Sequence, residues 1–273
     1  MNSFPLVSVI IPTRNSAQFL EACLQSIKNQ TYKNIEIIVV DNNSTDNTKE
    51  IAKKYTKLVF NKGPERSAQR NFGAKNSNGE YLLFIDSDME LTPKVIENCV
   101  AKIQSNNKTG AIIIPEESFG KGFWAQCKKL ERSYYIGIEW IEAARFYKKS
   151  TFLKADGFDE NLIAGEDWDL SQRVSILRNI ERINDLIYHN EGKIELTKFI
   201  SKKFYYGKRI SLYLKKQTYK KNSQINPLSR YILFFKKPDK ILRNPVVFIG
   251  MIILKTIEML AFGLGYLVNF LFK

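Results

Sequence analysis

Asp86 and Asp88 flank a single serine, Ser87, at the end of the apolar run "YLLFI". Residues two apart in an extended chain project to the same side, so both carboxylates are expected to face one cavity. Held that close they raise each other's pKa, and a bound divalent cation is the usual means of keeping both ionised. Mg²⁺ and Mn²⁺ accept one or two carboxylates together with phosphate oxygens, which makes a nucleoside diphosphate compound the expected ligand. No GxGxxG follows the first apolar run and no GxxxxGK[ST] occurs anywhere; this excludes a dinucleotide fold and a P-loop NTPase. Further along, "GEDWDL" sets Glu166, Asp167 and Asp169 together. Acids there would complement the macrodipole of a helix N-terminus, a place that also suits a catalytic base.

The elements that must position these acids are legible in the apolar spacing. Short Val/Ile/Leu/Phe runs without alternation occupy residues 7–11, 35–40, 58–60, 81–85 and 111–114 and end at Pro12, Asp41, Asn61, Asp86 and Pro115. Such runs read as strands buried on both faces. Between them, Ser16 precedes "AQFLEACLQSIKN", where Phe19, Leu20, Cys23, Leu24 and Ile27 recur at helical spacing. Thr92-Pro93 reads as an N-cap followed by proline at the first helical position. The alternation predicts an α/β domain with a mainly parallel sheet. Ligands of such sheets sit outside the carboxyl ends of the strands. That rule selects Thr13, Arg14 and Asn15, then Asp41, Asn42 and Asn43, then Asp86, Ser87 and Asp88.

Composition bounds the rest. A chain of 273 residues, 44% hydrophobic, can bury the core of one large domain or of a domain with an appendage. Cys23, Cys99 and Cys127 lack ligand spacing, which excludes a disulfide scaffold and a zinc module and favours a reducing compartment. The segment "MNSFPLVSVIIPTRN" has no basic n-region, long apolar h-region or cleavage site, so it is expected to be retained and structural. Charge is unevenly spread: residues 190–273 hold 17 Lys and Arg against 4 acids, nearly all of the chain's net +14. A balanced part, 1–190, and a basic part, 191–273, are therefore expected, the latter facing an anionic partner.

With these residues in view, "VSVIIPTRNSAQFLEACLQSIKNQTYKNIEIIVVDNNSTDNT" and "RSAQRNFGAKNSNGEYLLFIDSDM" resemble the donor-binding half of a family 2 glycosyltransferase with the GT-A fold, over about residues 7–177. The resemblance implies that Pro12, Thr13, Arg14, Asn15, Asp41 and Asn43 hold the nucleoside of a nucleotide-sugar donor. It implies that Arg70 and Asn71 lie near the base and ribose or the phosphates, and that Asp86, with Ser87, faces the ribose. Asp88 would ligate Mg²⁺ or Mn²⁺ on the diphosphate. Asn42 departs from the second aspartate of many relatives, which leaves the base open. "KADGFDENLIAGEDWDLSQRV" resembles the family's "GFDE" turn and "ED" motif, whose aspartate, Asp167, is the general base; Glu166 is the competing carboxylate. An inverting transfer needs such a base opposite the leaving group. His189 is a candidate third metal ligand by the same resemblance, its bland alternative being a hydrogen-bonded strand end. The Q-x-x-R-W pattern of processive members is absent, so transfer of a single sugar is expected.

In the basic part, lysines and tyrosines interleave over 194–216, and Asn244-Pro245 reads as a helix start before 27 mostly apolar residues. Lys255, Glu258, Phe262, Gly265, Tyr266 and Asn269 fall on one narrow stripe of that helix. The length suffices to cross a bilayer, yet a Lys and a Glu near its middle oppose a span, and an interfacial helix avoids that cost. Together with "FFKKPDKILR", the segment is read as an anchor on anionic lipid. The expected activity is inverting transfer of one sugar from a nucleotide-sugar, UDP- ahead of GDP-, to a lipid-linked or surface-glycan acceptor at the cytoplasmic membrane face. A polyprenyl-phosphate sugar synthase is the rival within the class; a non-catalytic nucleotide-sugar binder or a nucleic-acid binder is the rival outside it, and no nucleic-acid partner is expected.

Overall fold

The computed structural model describes residues 4–216, 224 and 226–271. By internal contacts the chain divides into two units, one made of Met1–Pro115, Ala143–Glu160 and Glu166–His189, the other of Glu116–Glu142, Asn161–Gly165 and Asn190–Lys273. One boundary falls at residue 190, where the charge changes; the second unit also takes in two stretches from earlier in the chain.

The first unit is built on a mostly parallel sheet. Strands β1 (Val7–Thr13), β2 (Ile35–Asp41), β3 (Val59–Asn61) and β4 (Tyr81–Phe84) are parallel, in spatial order β3-β2-β1-β4. All four were expected from their apolar runs. Register sets Thr13 beside Asp41 and Asp41 beside Asn61, so the polar residues that end these strands emerge at one edge. The runs do not alternate because both faces are covered. Val7, Val9 and Ile11 pack with Leu20, Cys23, Leu24 and Ile27 of α1 (Ala17–Lys28) and with α4 (Val95–Ser105). Ile10, on the other face, packs with Ala74 of α3 (Arg66–Lys75), Phe152 of α6 (Lys149–Lys154) and Leu170 of α7 (Glu166–Leu177). Helix α2 (Thr48–Tyr55) lies between β2 and β3 in sequence.

The sheet continues past β4 through β6 (Thr109–Ile113), which the run at 111–114 predicted, and through two strands that apolar runs alone did not reveal. Strand β8 (Ala144–Lys148) pairs antiparallel with β4 and with β6, and β9 (Asn179–Arg182) closes the far edge parallel to β6. Beside it, Ile187, Tyr188 and His189 of β10 (Ile187–Lys193) pair antiparallel with β5 (Met89–Leu91). Helix α4 begins at Val95, two residues later than Thr92-Pro93 predicts: the Val95 N–H bonds the Thr92 carbonyl at 3.2 Å, so Thr92 opens a turn ahead of the helix instead of capping it.

The second unit contains β7 (Glu116–Lys121) and helices α5 (Phe123–Tyr135), α8 (Leu196–Arg209), α9 (Ser211–Lys215), α10 (Pro227–Phe235), α11 (Pro238–Arg243) and α12 (Pro245–Leu271). The last starts where Asn244-Pro245 predicts: Asn244 Oδ1 accepts from the Val247 N–H and the Asn244 carbonyl from Phe248. Cys127, Tyr134, Phe234, Phe248, Met251 and Leu254 form this unit's apolar cluster. Among the described residues, α12 is the one helix long and apolar enough to cross a membrane.

Candidate active site

At the carboxyl edge of β1 and β2, a dense polar network replaces the apolar core. Pro12 and Thr13 are buried, and the Thr13 hydroxyl donates to Asp41 Oδ1 at 2.9 Å. Asp41 is itself fully buried; it accepts from the Ser44 N–H at 2.8 Å and the Ser44 hydroxyl at 2.5 Å, with Lys49 Nζ 3.5 Å away. Its carboxylate therefore shapes the loop after β2. Asn15 and Asn43 adopt left-handed backbone conformations, φ 49° and 50°, which asparagine tolerates better than most residues. The side chain of Asn15 accepts from the Thr45 N–H at 2.8 Å, and that of Asn43 accepts from Asn61 Nδ2 at 2.7 Å. Arg14 is exposed, and the Ser87 hydroxyl bonds that of Ser16 at 2.9 Å. Gln69, which sequence reasoning passed over, ties this edge together: its buried amide donates to the carbonyls of Thr13 at 2.9 Å and Val40 at 2.6 Å.

One turn of α3 sets the fully buried Arg70 beside three acids from two distant parts of the sequence. Its guanidinium reaches Asp86 at 2.7 Å, Asp167 at 2.9 Å and Glu166 at 3.5 Å, with the Phe158 ring 5.1 Å from its centre. Arg66, one turn earlier, pairs with Glu166 at 3.3 Å, and Arg145 on β8 lies 3.9 Å from Asp86. Neither of these two arginines was anticipated. Asn71 fixes the neighbouring turn, donating to the Phe158 carbonyl at 2.8 Å and accepting from its N–H at 2.9 Å. Asp156 and Gly157 take φ 61° each there, a chain reversal that glycine allows cheaply.

The electrostatics separate the acids. Burial alone would raise the Asp86 carboxyl, but the charges of Arg70, Arg145 and Arg66 outweigh it and hold the group well below the usual carboxylate range. Burial and the like charge of Asp167 push Glu166 up to about 7, against the pull of Arg66 and Arg70. The Asp167 side chain is 35% exposed and that of Glu166 5%, so Asp167 is the open member of the pair.

Asp88 has different company. The Met89 N–H bonds the Asp86 carbonyl at 3.1 Å, so residues 86–89 form a turn and not the extended chain that would aim both aspartates alike. Asp86 meets Arg70; Asp88 Oδ2 lies 3.3 Å from His189 Nε2. The β5–β10 pairing opposes His189 to Met89 and so delivers the imidazole next to Asp88. Asp88 Oδ1 is buried with no hydrogen-bond partner. Among the described residues no group of three or more His, Cys, Asp and Glu could hold a metal ion. An orphaned carboxylate oxygen with one imidazole fits a divalent cation that takes its remaining ligands from a diphosphate and water.

Known proteins resemble this chain in sequence and in fold. The family model described as Glycosyl transferase family 2 matches residues 8–157. Glycosyltransferase GlyA of Streptococcus pneumoniae is 39% identical over 103 residues, 36% of this chain and 15% of that protein. The GalNAc(5)-diNAcBac-PP-undecaprenol beta-1,3-glucosyltransferase of Campylobacter jejuni is 29% identical over 222 residues, 77% of this chain and 64% of that protein. The chain thus spans less than two thirds of the length of these relatives. Among solved structures, mannosyltransferase PcManGT from Pyrobaculum calidifontis, in complex with GDP-Man and Mn²⁺, superposes with TM-score 0.65 at 14% identity, covering 100% of this chain and 89% of that one. That likeness bears out the GT-A fold. With the family model matching more than half of its length, the chain belongs to glycosyl transferase family 2.

Proposed function

We propose that this chain transfers one sugar, with inversion, from a UDP- or GDP-sugar to a lipid-linked or surface-glycan acceptor at the cytoplasmic membrane face. The observation that carries the reading is the Arg70 guanidinium, which joins Asp86 to Asp167 while Asp167 alone of the Glu166–Asp167 pair is open. Asp167 takes the proton of the acceptor hydroxyl. The acceptor oxygen bonds to the anomeric carbon as the bond to the diphosphate oxygen breaks, and the nucleoside diphosphate leaves with the electron pair. Arg70 holds Asp167 in place, and Asp86 faces the ribose. Thr13, Asp41 and Gln69 order the nucleoside edge.

Asp88 and His189 would hold Mg²⁺ or Mn²⁺, which when bound offsets the charge developing on the leaving diphosphate. The Mn²⁺ in PcManGT supports a metal-dependent reading, and the Campylobacter relative, named for a PP-undecaprenol substrate, supports a lipid-linked acceptor. The test is Asp167→Asn. Transfer is expected to be lost while metal-dependent stabilisation by UDP- or GDP-sugars, read as a thermal shift, persists; undiminished turnover removes Asp167 from the mechanism. Transfer onto undecaprenyl phosphate but not onto its glycosylated form would overturn the acceptor assignment.

A further inference from the structure

Helix α12 is inverted relative to a helix at a water-facing surface. Its outward stripe is Val246, Ile249, Ile253, Leu260, Leu264 and Leu267, each 47–65% exposed and spaced three, four or seven residues apart, so they share one face. Thr256 is the one polar side chain on that face, and Tyr231 of α10 lies 2.7 Å from its hydroxyl. Helix α10 therefore flanks the stripe and adds Leu228, Ile232 and Phe235, all exposed.

The polar side of α12 points into its own unit. Lys255 is buried and pairs with Glu131 of α5 at 3.0 Å and with Glu258 at 3.3 Å; Glu258 pairs with Lys203 of α8 at 2.7 Å and with Lys128 of α5 at 3.3 Å. Two glycines bring the backbones of α8 and α12 together: a Cβ on Gly207 would overlap the Phe262 carbonyl oxygen, and one on Gly265 the Phe204 carbonyl oxygen. Lys198, Lys202, Lys208 and Arg209 of α8 remain exposed. If α12 crossed a bilayer, α8 and these four charges would be carried into hydrocarbon with it, where such groups are strongly disfavoured. The 27-residue helix is also about 40 Å long against a hydrocarbon core of about 30 Å.

We propose that α12, flanked by α10, is an in-plane docking face for an anionic bilayer and not a transmembrane span. This inference rests on the membrane reading above. Anionic lipid is the occupant that charge selects: residues 190–273 hold 17 Lys and Arg against 4 acids, and Lys236 and Arg243 stand exposed at the N-terminal end of the stripe, beside the exposed Phe235 and Leu242. Apolar side chains enter the headgroup boundary while these cations meet the lipid phosphates.

The experiment is flotation of the full chain with vesicles of phosphatidylcholine containing phosphatidylglycerol, or of phosphatidylcholine alone. It is combined with depth measurement on labels at Ile249→Cys, Leu260→Cys and Leu267→Cys; the three native cysteines are buried. Flotation is expected on anionic vesicles and at least tenfold less on neutral ones, with the three labels at one depth. Leu260→Glu with Leu264→Glu is expected to cut flotation at least tenfold with unchanged circular dichroism. Should that variant not fold, the depths decide. Labels spread over roughly 30 Å of depth would overturn the in-plane placement and leave the membrane reading standing. No flotation, with a concentration-dependent dimer in solution, would overturn both and make the face a contact between copies. Equal flotation on neutral vesicles would overturn the choice of anionic lipid.

Discussion

Arg70 and Asp167, 97 residues apart, meet at 2.9 Å. The same guanidinium holds Asp86 at 2.7 Å, so the loop after β4 and the first turn of α7 share one cation. Arg70→Met would leave Asp86, Glu166 and Asp167 without their central counter-charge and is expected to destabilise the first unit by about 3–5 kcal/mol, the usual cost of breaking a buried pair. Arg70→Lys keeps the charge but loses the planar fork and should fall between. Urea unfolding of both variants is the check, and a loss below about 1 kcal/mol for Arg70→Met would deny the cluster its structural role.

The two adjacent acids should separate in kinetics. Asp167→Asn is expected to lower kcat by about 10²–10⁴, the range for loss of a general base, with little change in the KM for donor. Glu166→Gln should retain most of the activity. The reverse ranking would move the base to Glu166.

Glu166 also makes stability depend on pH. Its carboxyl, ordinarily near 4.5, is raised to about 7 in the folded chain. Between those values the folded state binds more protons than the unfolded, so stability should fall as pH rises through the interval, by at most about 1.4 kcal/mol per pH unit, and level off above it. Glu166→Gln removes the ionisation and should flatten this part of the profile. Unfolding curves of both proteins across the interval measure it; an unchanged slope would assign the effect elsewhere.

Asp88→Asn and His189→Gln should each raise the concentration of Mg²⁺ or Mn²⁺ needed for half-maximal activity, the aspartate variant more, since it loses the charged donor. The metal titration of initial rates reads this directly. An unshifted midpoint in His189→Gln would leave His189 as a strand-end hydrogen-bonding residue.

In the second unit, Gly265→Ala and Gly207→Ala each place a methyl group against backbone of the facing helix. Overpacking of this kind costs about 1–3 kcal/mol, and because backbone cannot rotate away as a side chain can, the upper end is expected. Differential scanning calorimetry of the two variants tests it.

The four parallel strands, the start of α12 and the polar residues at the strand ends were legible in the sequence because each follows from local pattern: an unbroken apolar run, a turn residue, an Asn-Pro pair. The "DSD" and "ED" motifs were legible for the same reason, being short and set at recognisable strand and helix ends. Which acid meets which base was not. The pairing of Asp86 and Asp167 with Arg70 depends on packing across both α3 and α7, and that of Asp88 with His189 depends on β5 pairing antiparallel with β10. The turn at 86–89 sends neighbouring aspartates to different partners, which an extended-chain argument could not foresee. Likewise the stripe of α12 could be drawn from its 3.6-residue period alone, but a period has no inside or outside. Only the ion pairs of Lys255 and Glu258 with α5 and α8 decided that its charges face the protein and its apolar side chains face away.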